Sequence, residues 1–116
     1  MNPNRIFSSA YSINQSAQQT NSTLVLKTET NQIRVWHVPK DQEVPAHIHQ
    51  YGQDTWIILS GSGKYYLGNN QFATLKTGDI AVANAEEVHG AINVGEDPLI
   101  FISITAAEAG FKLTDK

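Results

Sequence analysis

The hydrophobic residues of this chain occur in short runs that are separated by residues typical of turns. Val, Ile, Leu, Phe, Tyr and Trp dominate these runs, and such residues fit the pleated, half-buried surface of a strand. The predicted strands cover residues 24–27, 33–38, 55–59, 65–67, 72–75, 80–83, 89–94 and 99–104. Only residues 106–109 have a helical pattern, and it is brief. Many short strands with almost no helix predict an all-β sandwich or barrel rather than alternating strands and helices.

Turn-forming residues separate the runs at nearly regular spacing. Gly68, Asn69 and Asn70 lie between two predicted strands, and Gly and Asn tolerate the positive φ that a tight hairpin requires. Residues 39–41 and 95–98 supply further turns. Because these connections are short and no linker interrupts them, we expect residues 23–116 to form one domain.

The first 22 residues have a different composition. They are rich in Asn, Gln and Ser, and their apolar residues, Ile6, Phe7, Tyr11 and Ile13, are too sparse to build a core. We expect residues 1–22 to form a polar N-terminal tail. The alternative is an arm that pairs with a sheet edge or with a second subunit and so covers an exposed row of backbone groups.

Composition and charge narrow the range of partners. The chain has 116 residues and a formal net charge of −3, which provides no basic surface for a nucleic acid or an anionic membrane. It contains no cysteine, so a metal ion would have to be bound by nitrogen and oxygen atoms. The N-terminal residues show neither a signal-peptide pattern nor an apolar run of membrane-spanning length. We therefore expect a cytoplasmic protein that binds neither nucleic acid nor membranes.

Three of the four histidines occur in two stretches that suggest a shared metal ion. His47 and His49 are two residues apart, and on a strand such side chains project from the same face. Asp54 follows a short turn that can bring its carboxylate back to the pair. His89 lies far along the chain, so only the fold can bring it close. Imidazoles are common ligands of Fe, Ni, Cu and Zn, whereas Mn prefers more oxygen.

The spacing of the first stretch resembles the first sequence motif of the cupins, which is G-x5-H-x-H-x3,4-E-x6-G. His47 and His49 occupy its two histidine positions, Asp54 its glutamate position and Gly61 its last glycine position. A single H-x-H would be a weak signal. A resemblance to the cupins therefore requires that a second stretch of the chain match the other cupin motif.

The second stretch resembles the other cupin motif, G-x5-P-x-G-x2-H-x3-N. Gly78, His89 and Asn93 stand at its glycine, histidine and asparagine positions with the expected spacing. The resemblance covers residues 33–104, and it implies a single jelly-roll barrel, also called a double-stranded β-helix. It also implies one divalent transition metal ion per chain, held by the three histidines with Asp54 as a further ligand.

Four residues depart from the cupin motifs. Asp41 replaces the first glycine of the first motif, and Asn84 and Glu86 replace the proline and the second glycine of the other. These three affect loops, and Asp tolerates a left-handed turn better than most residues. Asp54 replaces a glutamate, which shortens the reach of the carboxylate by about 1.3 Å. Asp54 could therefore bind the metal directly, bind it through water, or orient a water molecule that the metal holds.

The remaining site predictions concern a small organic ligand. If Asp54 faces inward, Trp56 does too by the period of two, and it would line a pocket beside the metal. Tyr51 and Gln53 lie next to the ligands in the turn and are candidate substrate contacts. Asp54, if it is not a ligand, is the best candidate for a general base.

The sequence is compatible with several functions. With Fe or Cu the site suits oxygenation, and with Mn, Zn or Ni it suits isomerisation or decarboxylation. The alternative is a non-catalytic, metal-dependent ligand-binding or sensor barrel. A third interpretation is that the three histidines are hydrogen-bonded without a metal. We expect the fourth, His37, to be a hydrogen-bonded or partly exposed strand histidine. The resemblance further implies a homodimer.

Overall fold

The computed structural model describes residues 5–9 and 16–116, in which it contains ten β-strands and no α-helix. The strands are β1 (Asn21–Lys27), β2 (Asn31–Val38), β3 (Glu43–Ile48), β4 (Asp54–Ser60), β5 (Ser62–Gly68), β6 (Gln71–Lys76), β7 (Ile80–Ala83), β8 (His89–Ile92), β9 (Leu99–Ala106) and β10 (Lys112–Leu113). None of the described residues forms a helix that could span a membrane.

The strands form two five-stranded antiparallel sheets that pack face to face. Sheet I has the order β1-β2-β9-β4-β7, and sheet II has the order β10-β3-β8-β5-β6. Both sheets contribute to one buried core, whose members are Val38, Val44, Trp56, Ile58, Tyr65, Leu75, Ala91, Leu99 and Phe101. This architecture is the predicted all-β jelly-roll barrel, or double-stranded β-helix.

Inward-facing residues alternate along the strands of sheet I, as the sequence predicted for β4. Asp54, Trp56 and Ile58 are buried on β4, while the residues between them are less so. The pairing of β2, β9 and β4 aligns inward-facing residues in rows across the sheet. Three such rows are Gln32–Thr105–Asp54, Arg34–Ser103–Trp56 and Trp36–Phe101–Ile58.

The predicted turns adopt the conformations that their residues allow. Asn69 and Asn70, between β5 and β6, have φ angles of 54° and 58°, as a two-residue hairpin turn with two left-handed residues requires. Asp41 and Glu86, which replace glycines of the two motifs, have φ angles of 66° and 68°. Both loops thus keep the left-handed backbone although neither position is a glycine.

The prediction of a short helix over residues 106–109 is wrong. Ala106 is the last residue of β9, and Ala107 and Glu108 form a turn. Four residues are too few to form a stable helix on their own, and here their backbone groups bond elsewhere in the fold. The Ala106 amide donates to the Gln53 carbonyl at 3.0 Å, and the Ala107 amide donates to the Thr30 carbonyl at 2.9 Å.

The N-terminal residues are described only in part. Tyr11 and Ile13, two of the apolar residues of the predicted tail or arm, lie outside the described residues. Ile6 and Phe7 are exposed, with 73% and 43% of their surface accessible. The Thr20 hydroxyl donates to the Glu43 carbonyl at 3.1 Å, which attaches the chain to sheet II just before β1 begins.

Candidate metal centre

Strand pairing in sheet II brings the distant histidine to the H-x-H pair. His47 on β3 is the direct partner of His89 on β8, and His49 follows the end of β3. The ring centroids of His47 and His89 are 4.1 Å apart, those of His47 and His49 are 4.9 Å apart, and those of His49 and His89 are 5.1 Å apart. The three imidazoles therefore form one cluster.

Each imidazole of the cluster is oriented by a backbone carbonyl. The Nδ1 atoms of His47, His49 and His89 lie 2.7 Å, 2.6 Å and 3.0 Å from the carbonyl oxygens of Pro45, Gly110 and Glu87, respectively. A carbonyl can only accept, so in each ring Nδ1 carries the proton and donates. The Nε2 atoms are then the ones that can bind a metal, which is the usual arrangement of metal-binding histidines.

Asp54 of sheet I places its carboxylate among these Nε2 atoms. Its Oδ2 atom lies 2.9 Å from His89 Nε2 and 3.3 Å from His49 Nε2. The indole N–H of Trp56 donates to the same oxygen at 3.2 Å, and the Thr105 hydroxyl donates to Oδ1 at 2.8 Å. The shorter side chain of Asp54 therefore does not prevent its carboxylate from reaching the histidines.

These contacts shift the pKa values of the cluster in the protein without metal. Burial and, to a smaller extent, the neighbouring His89 together lower the pKa of His47 to about 4. Burial opposes ionisation of Asp54, but hydrogen bonds from His49, His89 and Thr105 outweigh it and hold the pKa of this carboxyl well below its usual range. Burial also opposes a charge on His49, yet Asp54 and the Gly110 carbonyl outweigh it and raise the pKa of that imidazole. His47 is thus neutral at pH 7, as a metal ligand must be.

The donor atoms fit a single metal ion. One ligand atom from each of His47, His49, Asp54 and His89 lies within 4.8 Å of all the others. Two donors on opposite sides of one ion, each bonded at about 2.1 Å, are about 4.2 Å apart, so small side-chain rotations suffice. Three imidazoles and one carboxylate suit Fe, Mn, Zn, Ni and Cu and leave positions for water or a substrate.

The cluster opens into a cavity of about 440 Å³ between the two sheets. His47, His49 and Asp54 line one part of it, and aromatic, aliphatic and a few polar residues line the rest. This volume falls in the range of small-molecule sites in proteins. The buried indole of Trp56 lies in the wall, as its alternation with Asp54 predicted.

One wall of the cavity is a loop that the sequence did not predict. Residues 107–111 connect β9 to β10, and four of them line the cavity, namely Glu108, Ala109, Gly110 and Phe111. The Phe111 ring lies 5.0 Å from the ring of His47, and the Gly110 carbonyl orients His49. Gly110 before an aromatic residue was the available signal for a turn here, but the alanines around it favoured a helix.

Tyr51 and Gln53, the other candidate substrate contacts, occupy the turn before β4. Tyr51 is 78% exposed, and neither residue lines the cavity. The Gln53 amide donates to the Thr55 hydroxyl at 3.1 Å. His37 lies apart from the cluster, buried in sheet I, with Nδ1 3.3 Å from the Asn21 amide.

Comparisons with known proteins agree with this architecture. The family model described as Cupin domain matches residues 34–105. Among solved structures, the chain is similar to an uncharacterised conserved protein with a double-stranded β-helix domain from Klebsiella pneumoniae. The two share 42% identity with a TM-score of 0.91, over 97% of this chain and 98% of that one.

More distant structures share the fold alone. TT1209 from Thermus thermophilus is 21% identical with a TM-score of 0.79, over 87% of this chain and 95% of that one. A predicted oxalate decarboxylase from Thermotoga maritima is 21% identical with a TM-score of 0.70, over 75% and 79% of the respective chains. A search of curated proteins found no significant match.

Proposed function

The chain belongs to the cupin family, and on that premise we propose that it is a metal-dependent enzyme acting on a small organic molecule. One divalent transition metal ion per chain would be held by the Nε2 atoms of His47, His49 and His89, with Asp54 as a fourth ligand. The substrate would enter the cavity between the sheets and reach the positions that these four residues leave open.

The observation that carries the proposal is the shared orientation of the three imidazoles. All three donate through Nδ1 to backbone carbonyls, which leaves Nε2 for a metal, and one ligand atom of each lies within 4.8 Å of the others. Buried Nε2 atoms that lie close together are unsatisfied acceptors unless a cation or a proton donor lies between them, and unsatisfied buried acceptors are unfavourable. Asp54 adds the negative charge that a divalent cation favours.

A bound metal would supply Lewis-acid polarisation of a substrate oxygen and, if it is Fe or Cu, a site for dioxygen. The protein's own contribution is to bind and orient the substrate. Trp56 offers an apolar surface beside the cluster. We also propose Tyr51 and Gln53 as substrate contacts outside the cavity wall, from their place in the turn next to the metal ligands. With Nε2 of His49 and His89 bound to the metal, the Trp56 indole and the Thr105 hydroxyl would still donate to Asp54, which leaves an ionised carboxylate that is fixed in position and can accept a proton. This would make Asp54 the general base if water takes its ligand position.

A non-catalytic, metal-dependent binding or sensor function is the second candidate. Among the residues that the structure describes, Asp54 and the exposed Glu108 are the carboxylates that line the cavity, and no histidine outside the cluster lines it. A reaction that needs an acid and a base separate from the metal ligands would find few groups here. Turnover of any candidate substrate by the metal-loaded protein would exclude this second function.

The direct test is metal content after purification and reloading. We expect about one equivalent of a transition metal per chain in the wild type and a negligible amount in the His47→Ala, His89→Ala double variant, measured by plasma mass spectrometry. His37→Asn is the matched control, because it removes the histidine outside the cluster and should leave the metal content unchanged. Equal metal content in the wild type and the double variant would refute the proposal.

We also propose that the protein is a cytoplasmic homodimer. The outer face of sheet I carries an apolar row, Ile102–Ile57–Ile80, and Ile80 and Val82 on its edge strand are 66% and 51% exposed. An exposed apolar face of this kind is typical of an interaction surface. Light scattering should give the mass of a dimer for the wild type and of a monomer for Ile80→Lys. A wild-type monomer at micromolar concentration would contradict the dimer.

A further inference from the structure

We propose that Arg34 and Ser103 form a binding subsite for a carboxylate group of the ligand, in the same cavity as the metal centre but separate from it. The inference rests on the proposed function for the idea that one ligand spans both subsites. It narrows the ligand to an organic acid. The subsite itself depends only on residues of sheet I.

Strand register places the two residues side by side in the cavity wall. Arg34 on β2 is the direct partner of Ser103 on β9, and Ser103 is in turn the partner of Trp56 on β4. All three line the cavity. Asp54 lies in the next row, which contains Gln32 and Thr105. The wall therefore carries a cation and a hydroxyl one row away from the metal centre.

Among the residues that the structure describes, the Arg34 guanidinium has a neutral partner and no charged one. It is half-buried and donates to the Ser22 hydroxyl at 3.3 Å. No carboxylate of the described residues lies within ion-pair distance of Arg34, and residues 1–4 and 10–15 include no Asp or Glu. A cation removed from water without an anion is unfavourable. Its planar fork of donors matches the two oxygens of a carboxylate.

Ser103 provides a second donor in the same strand row as Arg34. Its side chain is buried, and Oγ accepts a hydrogen bond from the Trp36 indole at 3.0 Å. The structure records no acceptor for the Ser103 hydroxyl proton among the described residues. That proton is therefore available to a ligand oxygen in the cavity. A hydroxyl and an arginine that line the same cavity wall from one strand row can both donate to an oxyanion.

The spacing of the rows indicates the length of the ligand. Arg34 and Asp54 are two strands apart and two residues apart along the strands, which corresponds to a Cα separation of about 12 Å. Trp56 lies in the row of Arg34 and on the same strand as Asp54, and Trp36 lies in the following row on the strand of Arg34. Both tryptophans contribute apolar surface to the cavity wall. These features fit an acid whose carboxylate is separated by several carbons from the oxygen atoms at the metal.

The test uses the tryptophans as reporters. The sequence contains two tryptophans, and both line the cavity, so intrinsic fluorescence should respond to a bound ligand. Zinc-loaded protein is titrated with adipate, with its neutral diamide adipamide and with inorganic phosphate at constant ionic strength. We expect adipate to bind at least about tenfold more tightly than adipamide or phosphate, since hydrogen bonds to charged groups have this magnitude.

Variants assign the effect to Arg34. Arg34→Gln should weaken adipate binding by about ten- to hundredfold, and Ser103→Ala should weaken it by a smaller factor, while zinc content stays at the wild-type level. Lys64→Gln is the matched control, because it removes one positive charge from an exposed position that does not line the cavity. Arg34→Lys keeps the charge without the planar fork and should fall between the wild type and Arg34→Gln. It also provides a readout if the glutamine variant does not fold.

The outcomes separate this inference from the metal proposal. If zinc is bound and the affinity for adipate is the same in the wild type and Arg34→Gln, the carboxylate subsite is refuted. Phosphate binding that equals adipate binding and depends on Arg34 would refute the assignment to carboxylates. If the wild type binds no zinc, metal-free protein is titrated with hexanoate. Hexanoate binding that Arg34→Gln abolishes would then support the subsite although the metal proposal had failed.

Discussion

The two sheets contribute different chemistry to the same cavity. Sheet II supplies imidazoles, with His47 and His89 as cross-strand partners. Sheet I supplies the carboxylate of Asp54 and, one row away, the guanidinium of Arg34. Substitution of the histidines of sheet II should therefore affect whether a metal is bound, whereas substitution of Arg34 or Ser103 should affect which ligand is bound. Asp54 of sheet I contacts His89 of sheet II, so its substitution should also affect metal binding.

The largest effect is expected at Gly90, where β8 passes close to β3. Gly90 has a φ of 149°, and a Cβ atom there would lie 2.6 Å from the Val44 carbonyl oxygen and 2.7 Å from that of Pro45. Gly90→Ala should separate the two strands and move His89 away from His47. We expect a loss of unfolding free energy of about 3 kcal/mol or more, measured by urea denaturation, together with loss of bound metal.

Gly78→Ala is the control for this prediction. Gly78 also has a positive φ, of 93°, but a Cβ atom at this position would have no neighbouring atom within 4 Å. Only backbone strain of about 1–2 kcal/mol is expected, and metal binding should persist. Equal losses of stability in the two alanine variants would show that the contact between β8 and β3 is not the determining factor.

The second-largest effect is expected on metal affinity when Asp54, the carboxylate of sheet I, is substituted. Asp54→Asn keeps the shape of the side chain but removes its charge, so we expect metal affinity to fall by about ten- to hundredfold. Asp54→Glu restores the residue of the cupin motif and should retain most of the affinity. Competition with a fluorescent chelator measures both. Wild-type affinity in Asp54→Asn would mean that sheet II holds the metal alone.

A smaller effect concerns His37, the histidine of sheet I that lies outside the cluster. Burial lowers the pKa of His37 below its usual value of 6.5, so the unfolded chain takes up a proton there more readily than the folded protein. The stability contributed by a neutral His37 is therefore complete above pH 6.5 and declines as the pH falls from 6.5 towards the lowered pKa.

This pH dependence can be measured by NMR and by denaturation. The His37 ring resonances should titrate below pH 6.5 in the folded protein, and the stability of His37→Asn should decline less between pH 6.5 and 5 than that of the wild type. A His37 that titrates above 6.5 would contradict the prediction.

The smallest effect is expected in the turn that links the two sheets between β7 and β8. Glu86 has a φ of 68°, and its amide donates to the His49 carbonyl at 2.9 Å. Glu86→Gly relieves the left-handed strain, and the flexibility of glycine in the unfolded chain offsets part of the gain. We expect a stabilisation of up to about 1 kcal/mol by calorimetry. Glu86→Ala keeps a side chain at this φ and should give no gain, so a larger gain from alanine would contradict this explanation.

The sequence predicted which side chains of sheet II cluster together better than it predicted which side chains of sheet I line the cavity, for a physical reason. His47, His49 and His89 stand in motifs whose spacing reflects strand pairing, and alternation on β4 placed Trp56 beside Asp54. Arg34 has no motif around it. Its position in the cavity depends on the register between β2 and β9, a pairing between distant residues that periodicity cannot supply.

The loop over residues 107–111 shows a second limit of prediction from sequence. Its alanines favour a helix locally, but backbone hydrogen bonds to Thr30 and Gln53 fix the end of β9 and the turn after it. Such bonds depend on tertiary structure and outweigh a weak local preference. For the same reason no local pattern indicates that Phe111 lies against His47.

The most direct test of the metal centre is a crystal structure of the metal-loaded protein with anomalous scattering measured at the absorption edge of the metal. The proposed function predicts one anomalous peak per chain, bonded to Nε2 of His47, His49 and His89, with the Asp54 carboxylate as a ligand or one water molecule away. A peak bound elsewhere, or three imidazoles whose Nε2 atoms do not share one ion in the loaded crystal, would contradict it.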